Sequence, residues 1–124
     1  MIHIPDAVTY IGDSAFYRCR SLTEIIIPES VAEIGDGVFA SCTNLTSAII
    51  PDSVTSIGSL VFSECDQLPS VLFSTGKKIL VRYSPSNTDS SYTIPDTVTY
   101  IAGSAFFRCT GLESINIPNT VTAI

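Results

Sequence analysis

LTEIIIPESVAEIGDGVFASCTN, residues 22–44, is followed at Leu45 by a second stretch with the same apolar spacing. Ile25 matches Ala48, Ile27-Pro28 matches Ile50-Pro51, and Val31 matches Val54. Ile34-Gly35, Val38-Phe39 and Cys42 then match Ile57-Gly58, Val61-Phe62 and Cys65. Proline recurs in this phase at 5, 28, 51, 95 and 118, and cysteine at 19, 42, 65 and 109. Two independent residue types thus give steps of 23 residues and one shared step of 44. The long step reads as one full unit plus one unit shortened by two residues.

Each unit divides into three pieces. The first, such as 24–27, alternates with a period of two, which predicts a short strand with Ile25 and Ile27 inward and Glu24 and Ile26 outward. Pro28 ends it, because proline has no N–H for a sheet ladder. The second piece is extended, turns Val31 and Ile34 inward and stops at Gly35. The third opens on Asp36 (Asp13 in the first unit), placed to cap a helical turn. So few residues remain before the next strand that one or two turns of 3-10 helix are the most expected there. A single unit cannot bury its own apolar row, but stacked units can. The expected fold is a solenoid of about five to six coils with parallel strands about 4.8 Å apart, roughly 25 Å long. Phe16, Phe39, Phe62 and Phe106 would form one aromatic spine.

The spacing Cys-x-x-Leu-x-x-Ile-x-Ile-Pro-x-x-Val-x-x-Ile-Gly-x-x-Ala-Phe resembles the BspA-type leucine-rich repeat, a 23-residue class of surface proteins in bacteria and some protists. The resemblance extends over the whole sequence except residues 74–91. It implies a right-handed, curved leucine-rich-repeat solenoid with its parallel sheet on the concave side. It also implies a cell-surface or secreted location and a role in adhesion and in binding host or matrix proteins.

Composition narrows the function classes. Hydrophobic residues make up 45% of the 124 residues but are spread evenly. No run approaches the roughly 18 apolar residues of a spanning helix, so no membrane span is expected. The net charge of −6 gives no basic stripe for nucleic acid. Lys77, Lys78 and Arg82 are half of the basic residues and read as a solvated face or a local contact for an acidic partner. The cysteines stand too far apart in sequence for a zinc site. Stacked in register they also sit slightly too far apart for disulfides, so buried free thiols are expected. His3, the one histidine, lies outward at a ragged end, which leaves no nucleophile–base pair. No phosphate loop is present, and neither cofactor nor metal is expected. Asn44-Leu45-Thr46 fits a glycosylation pattern, but Leu45 belongs to the core row.

Residues 74–91 break the repeat. Ser74 stands where proline is due, and the Phe and Cys of the turn are missing. Thr75-Gly76 reads as a turn, 79–83 as a strand by its alternation, and 84–91 as a loop rich in turn formers. The stretch is either a variant coil or a protruding loop that touches a partner. The outward strand column reads His3, Ile26, Ile49, Leu72, Thr93 and Asn116, flanked by Glu24, Ser47, Ser70, Ser91 and Ser114. Ile26, Ile49 and Leu72 would make an exposed apolar stripe, which marks either an interface or the preference of sheets for such residues.

The protein is expected to be one leucine-rich-repeat domain, with regular coils over 1–73 and 92–124. It starts and stops in mid-coil with no polar cap and no signal peptide, and Ser14–Cys19 nearly repeats as Ser104–Cys109. These features suggest a segment of a longer array. The function expected is a non-enzymatic protein-binding module. Its concave candidates are Glu24, Ile26, Ser47, Ile49, Ser70, Leu72, Thr93 and Asn116, and its loop candidates are Lys77, Lys78 and Arg82. The alternative is a structural spacer that self-associates end to end.

Overall fold

The computed structural model describes residues 2–124. Strands β1 (Tyr10–Ile11), β3 (Glu33–Ile34) and β5 (Ser56–Ile57) form one parallel sheet, and β2 (Glu24–Ile26) pairs with β4 (Ser47–Ile49) in another. Every pairing among them joins residues 23 apart, such as Ile34 with Ile57 and Ile25 with Ala48. β8 (Ser91–Thr93) and β10 (Ser114–Asn116) resume the same register. The repeat length is therefore the length of one turn of a parallel β-solenoid. Ile25, Val31, Val38, Phe39, Cys42, Leu45 and Ile50 are fully enclosed in its core.

The third piece of each unit is not helical. In the first coil the N–H groups of Ser14, Phe16 and Arg18 donate to the carbonyls of Asp36, Val38 and Ala40 in the next coil. In the second, Gly37, Phe39 and Ser41 donate to Ser59, Val61 and Ser63. The intervening N–H groups close tight turns within the coil, as Ala15 does on Gly12 and Cys19 on Phe16. With every second N–H committed to the neighbouring coil, no run of helical bonds can form. The alternation needs left-handed backbone at two positions per turn, and Ser14, Gly37, Leu60 and Ser104 share one while Arg18, Ser41, Glu64 and Arg108 share the other. The aspartates act across coils as well. Asp13 Oδ1 accepts the Asp36 N–H, and Asp36 Oδ1 accepts the Ser59 N–H, each at 2.8 Å. They cap the next coil, not a helix of their own.

The fourth coil departs from parallel stacking. β6 (Val71–Phe73) folds back on β7 (Ile79–Tyr83) as an antiparallel hairpin, and β7 continues in parallel onto β9 (Tyr100–Ile101). Pro69 occupies the position of Thr46, whose N–H bonds the Thr23 carbonyl, and proline cannot make that bond. At the hairpin turn Asp52 takes a hydrogen bond from the Ser74 hydroxyl and another from the Gly76 N–H. The Ser74 bond holds the Asp52 carboxyl below the usual carboxylate range. That contribution to stability is present above about pH 4 and fades as the pH falls through the lowered folded-state value.

The hairpin divides the core. Leu72, Ile79 and Val81 join the apolar cluster of the first three coils. Leu80 belongs to a second cluster with Ile94, Val98, Ile101 and Ala105, and Val71 and Phe73 pack against it. All five residues of β7 are buried, because both faces of the hairpin are covered. The aromatic spine is cut at the same place. Phe16, Phe39 and Phe62 stack at 5.3 Å between neighbouring rings with nearly parallel planes. Beyond the gap, Tyr83 meets Phe106 at 5.4 Å and Tyr92 at 4.7 Å.

Candidate functional site

The outward strand column is shorter than its sequence suggests. Ile26 and Ile49 are exposed on adjacent paired positions, 50% and 43% accessible, beside exposed Glu24 and half-buried Ser47. Leu72, expected as the third member, is buried at 6%. The cause is the hairpin: β6 leaves the parallel ladder, and Leu72 pairs with Arg82 instead of lying beside Ile49. Ser70 is exposed, but its carbonyl accepts from the Ser84 N–H and the Asn87 amide. Thr93 and Asn116 are exposed and bonded to each other, Asn116 Nδ2 donating to Thr93 Oγ1 at 3.1 Å. The column is thus two separate pairs of rungs, one apolar and one polar, with the hairpin between them.

The basic candidates also separate. Lys77 and Lys78 are exposed at the hairpin turn, and the Lys77 ammonium lies 5.6 Å from the centre of the Phe73 ring. Arg82 is not on a solvated face: it is buried within β7. Nor do residues 84–91 form a loop free of the scaffold, since Ser84 is buried and Ser84 and Asn87 are both tied to Ser70.

A second site emerges on the turn side, where the fourth coil is short. Leu80 pairs with Ile101 and accepts the Ala102 N–H, so it fills the column of Ile11, Ile34 and Ile57. Tyr83 donates to Ala105 as Phe39 does to Val61, so it fills the phenylalanine column. Ile34 and Phe39 are five positions apart, Leu80 and Tyr83 only three, so the two missing residues fall here. The backbones of the third and fifth coils consequently meet, and a Cβ on Gly103 would lie 3.5 Å from the Gly58 carbonyl oxygen. β5 and β7 do not pair, and Tyr100 takes up the bonds left at Ile57: its hydroxyl accepts the Ile57 N–H at 3.1 Å and donates to the Ile57 carbonyl at 3.4 Å.

Beyond that contact the two turns part around a cavity of about 180 Å³. One wall is the segment from Leu60 to Glu64, the other carries Phe107 and Arg108, and Arg82 forms part of the lining. The N–H groups of Leu60, Phe62 and Glu64 are the repeat counterparts of Gly37, Phe39 and Ser41. They have no acceptor among the described residues: the shortened fourth coil bonds onward to the fifth, as Tyr83 does to Ala105, and not back to the third. The Arg82 side chain is 8% exposed, and its one ion-pair partner among the described residues is Asp66, with Nη2 at 3.6 Å from Oδ1. Its Nη1 is buried with no hydrogen-bond partner. Sequence reading missed this site. The signal available was the pair of offsets that place Tyr83 21 residues after Phe62 and 23 before Phe106.

The thiols are free, Cys42 and Cys65 fully buried and Cys19 and Cys109 half-buried. Cys42, Cys65 and Cys109 each donate to the carbonyl of an aromatic residue one coil back, as Cys65 does to Phe39 at 3.0 Å. Burial pushes the Cys65 thiol up to about 11 and raises Cys42 as well. Only the thiolate attacks disulfide reagents. Burial raises the half-buried Cys109 too, so an aromatic-disulfide titration of the folded protein at pH 8 is expected to modify Cys19 first and Cys109 more slowly, and to leave Cys42 and Cys65 intact until denaturant is added. Equal rates at all four would contradict the buried ladder.

Stacked coils in 23-residue register, short strands and cross-coil turns define a leucine-rich-repeat solenoid. The sequence pattern of the BspA type leucine rich repeat region matches in six copies, over residues 1–91 and 82–124. The chain belongs to that family. A leucine-rich repeat protein of Bacteroides ovatus is 38% identical over 92% of the chain, with a TM-score of 0.61. The leucine-rich repeat protein of T. pallidum is 22% identical over 94%, also with a TM-score of 0.61, and likens the two in fold alone. The chain spans 30% of the first of these proteins and 66% of the second. A leucine-rich cell surface protein of Faecalibacterium prausnitzii is 23% identical over 96% of the chain, with a TM-score of 0.43. No curated protein matches the sequence.

Proposed function

We propose that the protein is a non-enzymatic protein-interaction module of a surface or secreted protein, and that its β2–β4 face meets the partner. The observation behind this reading is the pair Ile26 and Ile49, held side by side on consecutive rungs and both exposed. Two apolar side chains on a rigid two-strand platform supply a desolvated centre, and Glu24 and Ser47 supply a polar edge, the arrangement of an interface core and rim. The cell-surface location rests on the family resemblance.

The test is a binding screen against host and matrix proteins with the wild type and the variant carrying both Ile26→Asp and Ile49→Asp. Both sites are exposed, so thermal unfolding is expected to change little. Binding is expected to weaken at least about tenfold, as for two interface residues costing about 1 kcal/mol or more each. A partner bound equally well by the double variant would overturn the assignment of this face.

A further inference from the structure

We propose that the turn-side cavity lined by Arg82 is a carboxylate-binding site, which takes an acidic side chain or the terminal carboxylate of a protein partner. It is separate from the β2–β4 face and does not require Ile26 or Ile49.

The cavity presents donors in search of acceptors. Leu60, Phe62 and Glu64 offer three backbone N–H groups on alternate residues of one wall. Arg82 is part of the lining, and its guanidinium Nη1 is unpaired and enclosed. Its contact to Asp66 at 3.6 Å is longer than a hydrogen bond, and the Asp66 side chain is 82% exposed. A buried cation with so little compensation favours an anion that can reach it. A carboxylate has two oxygens with about four acceptor positions and no donor, which complements the three N–H groups and the guanidinium.

The charges around the cavity select the kind of anion. Glu64 and Asp66 are negative, and Arg82 and Arg108 are positive, so the lining is balanced before anything binds. The Arg108 guanidinium lies over the Phe107 ring at 5.2 Å on the wall opposite Leu60–Glu64. A single negative charge can displace the loosely held Asp66 from Arg82. A doubly charged phosphate would bring a second charge against Glu64 and Asp66. Apolar lining from Leu60, Val81 and Phe107 suits the short hydrocarbon stem behind a carboxylate.

The test is a titration of the ¹⁵N-labelled protein, read at the amides of Leu60, Phe62 and Glu64. The probes are sodium acetate, a blocked tripeptide whose one carboxylate is a glutamate side chain, an N-blocked dipeptide with a free terminal carboxylate, and inorganic phosphate. Acetate and at least one peptide are expected to shift the three amides to saturation. Whichever peptide acts tells an acidic side chain from a terminal carboxylate. Arg82→Gln is expected to weaken binding at least about tenfold, the loss of a hydrogen bond to a charged group. Because Arg82 is buried and its variant could unfold, Asp66→Asn on the surface carries the opposite sign, tightening Kd about threefold as an exposed competing charge is removed. No saturable shift at the three amides would overturn the proposal. So would binding unaltered in both variants, a response to phosphate alone, or a response to acetate with both peptides silent.

Discussion

Replacing Phe39 with alanine is expected to destabilise the protein by about 3–5 kcal/mol, near the top of what a single core truncation does. Phe39 is fully buried, and its ring is stacked between Phe16 and Phe62 at 5.3 Å on each side. Collapse of the surroundings is what usually softens such a loss, and here it is hindered. The Phe16 N–H is bonded to the Val38 carbonyl and the Phe39 N–H to the Val61 carbonyl, so the neighbouring turns are pinned at their spacing. A comparison with Phe106→Ala sharpens the test, because Phe106 is only half-buried and has the tilted Tyr83 in place of a stacked phenylalanine. Urea unfolding should rank Phe39→Ala well below Phe106→Ala. Equal losses, or a loss under about 1 kcal/mol for Phe39→Ala, would mean the spine is not packed as described.

Gly58→Ala is the second large effect, about 3 kcal/mol, at the upper end for overpacking. An added Cβ would lie 2.6 Å from the Gly35 carbonyl carbon and 2.7 Å from the Asp36 nitrogen, and would also strike the Asp36 carboxylate. Backbone atoms cannot swing aside in the way that a flexible lysine or glutamate does, and these are held by the cross-coil ladder. The requirement comes from stacking: Gly58 sits against Asp36, whose carboxylate takes the N–H of the next residue, Ser59, just as Gly35 sits against Asp13. Gly111→Ala is the control, since nothing lies within 4 Å of its added Cβ. It is expected to be neutral or to stabilise by about 0.4–1 kcal/mol through the unfolded state. Thermal unfolding of the two variants side by side measures the contrast.

Most of the scaffold was legible because repetition specifies it. A residue that recurs every 23 positions in parallel coils stacks on its own copies, so Ile25, Ile34, Phe39 and Cys42 declare themselves as core. The turn conformation was not legible. The spacing from Asp36 to Cys42 fits a short helix, but each coil commits alternate N–H groups to its neighbour, and that competition is invisible within one unit. The fourth coil was half legible. The strand over 79–83 follows from alternation, whereas its antiparallel pairing rests on Pro69, which removes a ladder donor, and on the turn at Ser74–Lys78. Leu72 was placed outward by extending the phase of the preceding units, and Arg82 by its charge and its nearness to Lys77 and Lys78. Once β6 pairs within its own coil, that phase no longer tells inside from outside. The cavity was beyond a single-unit reading because it is made by an absence, two residues between Leu80 and Tyr83, and shows only when the coils on both sides are counted through it.

Residue-resolved amide hydrogen exchange tests the central claim most directly, that the fourth coil interrupts the cross-coil turn ladder and leaves a row of free donors. In the folded protein the amides of Phe16, Arg18, Gly37, Phe39 and Ser41 are each bonded to the next coil. They are expected to be protected, while Leu60, Phe62 and Glu64 exchange faster by about a hundredfold or more, the difference between local and near-global opening. Equal protection across all of these amides would contradict the account, because it would mean that a fourth turn stacks on the third and the cavity is closed.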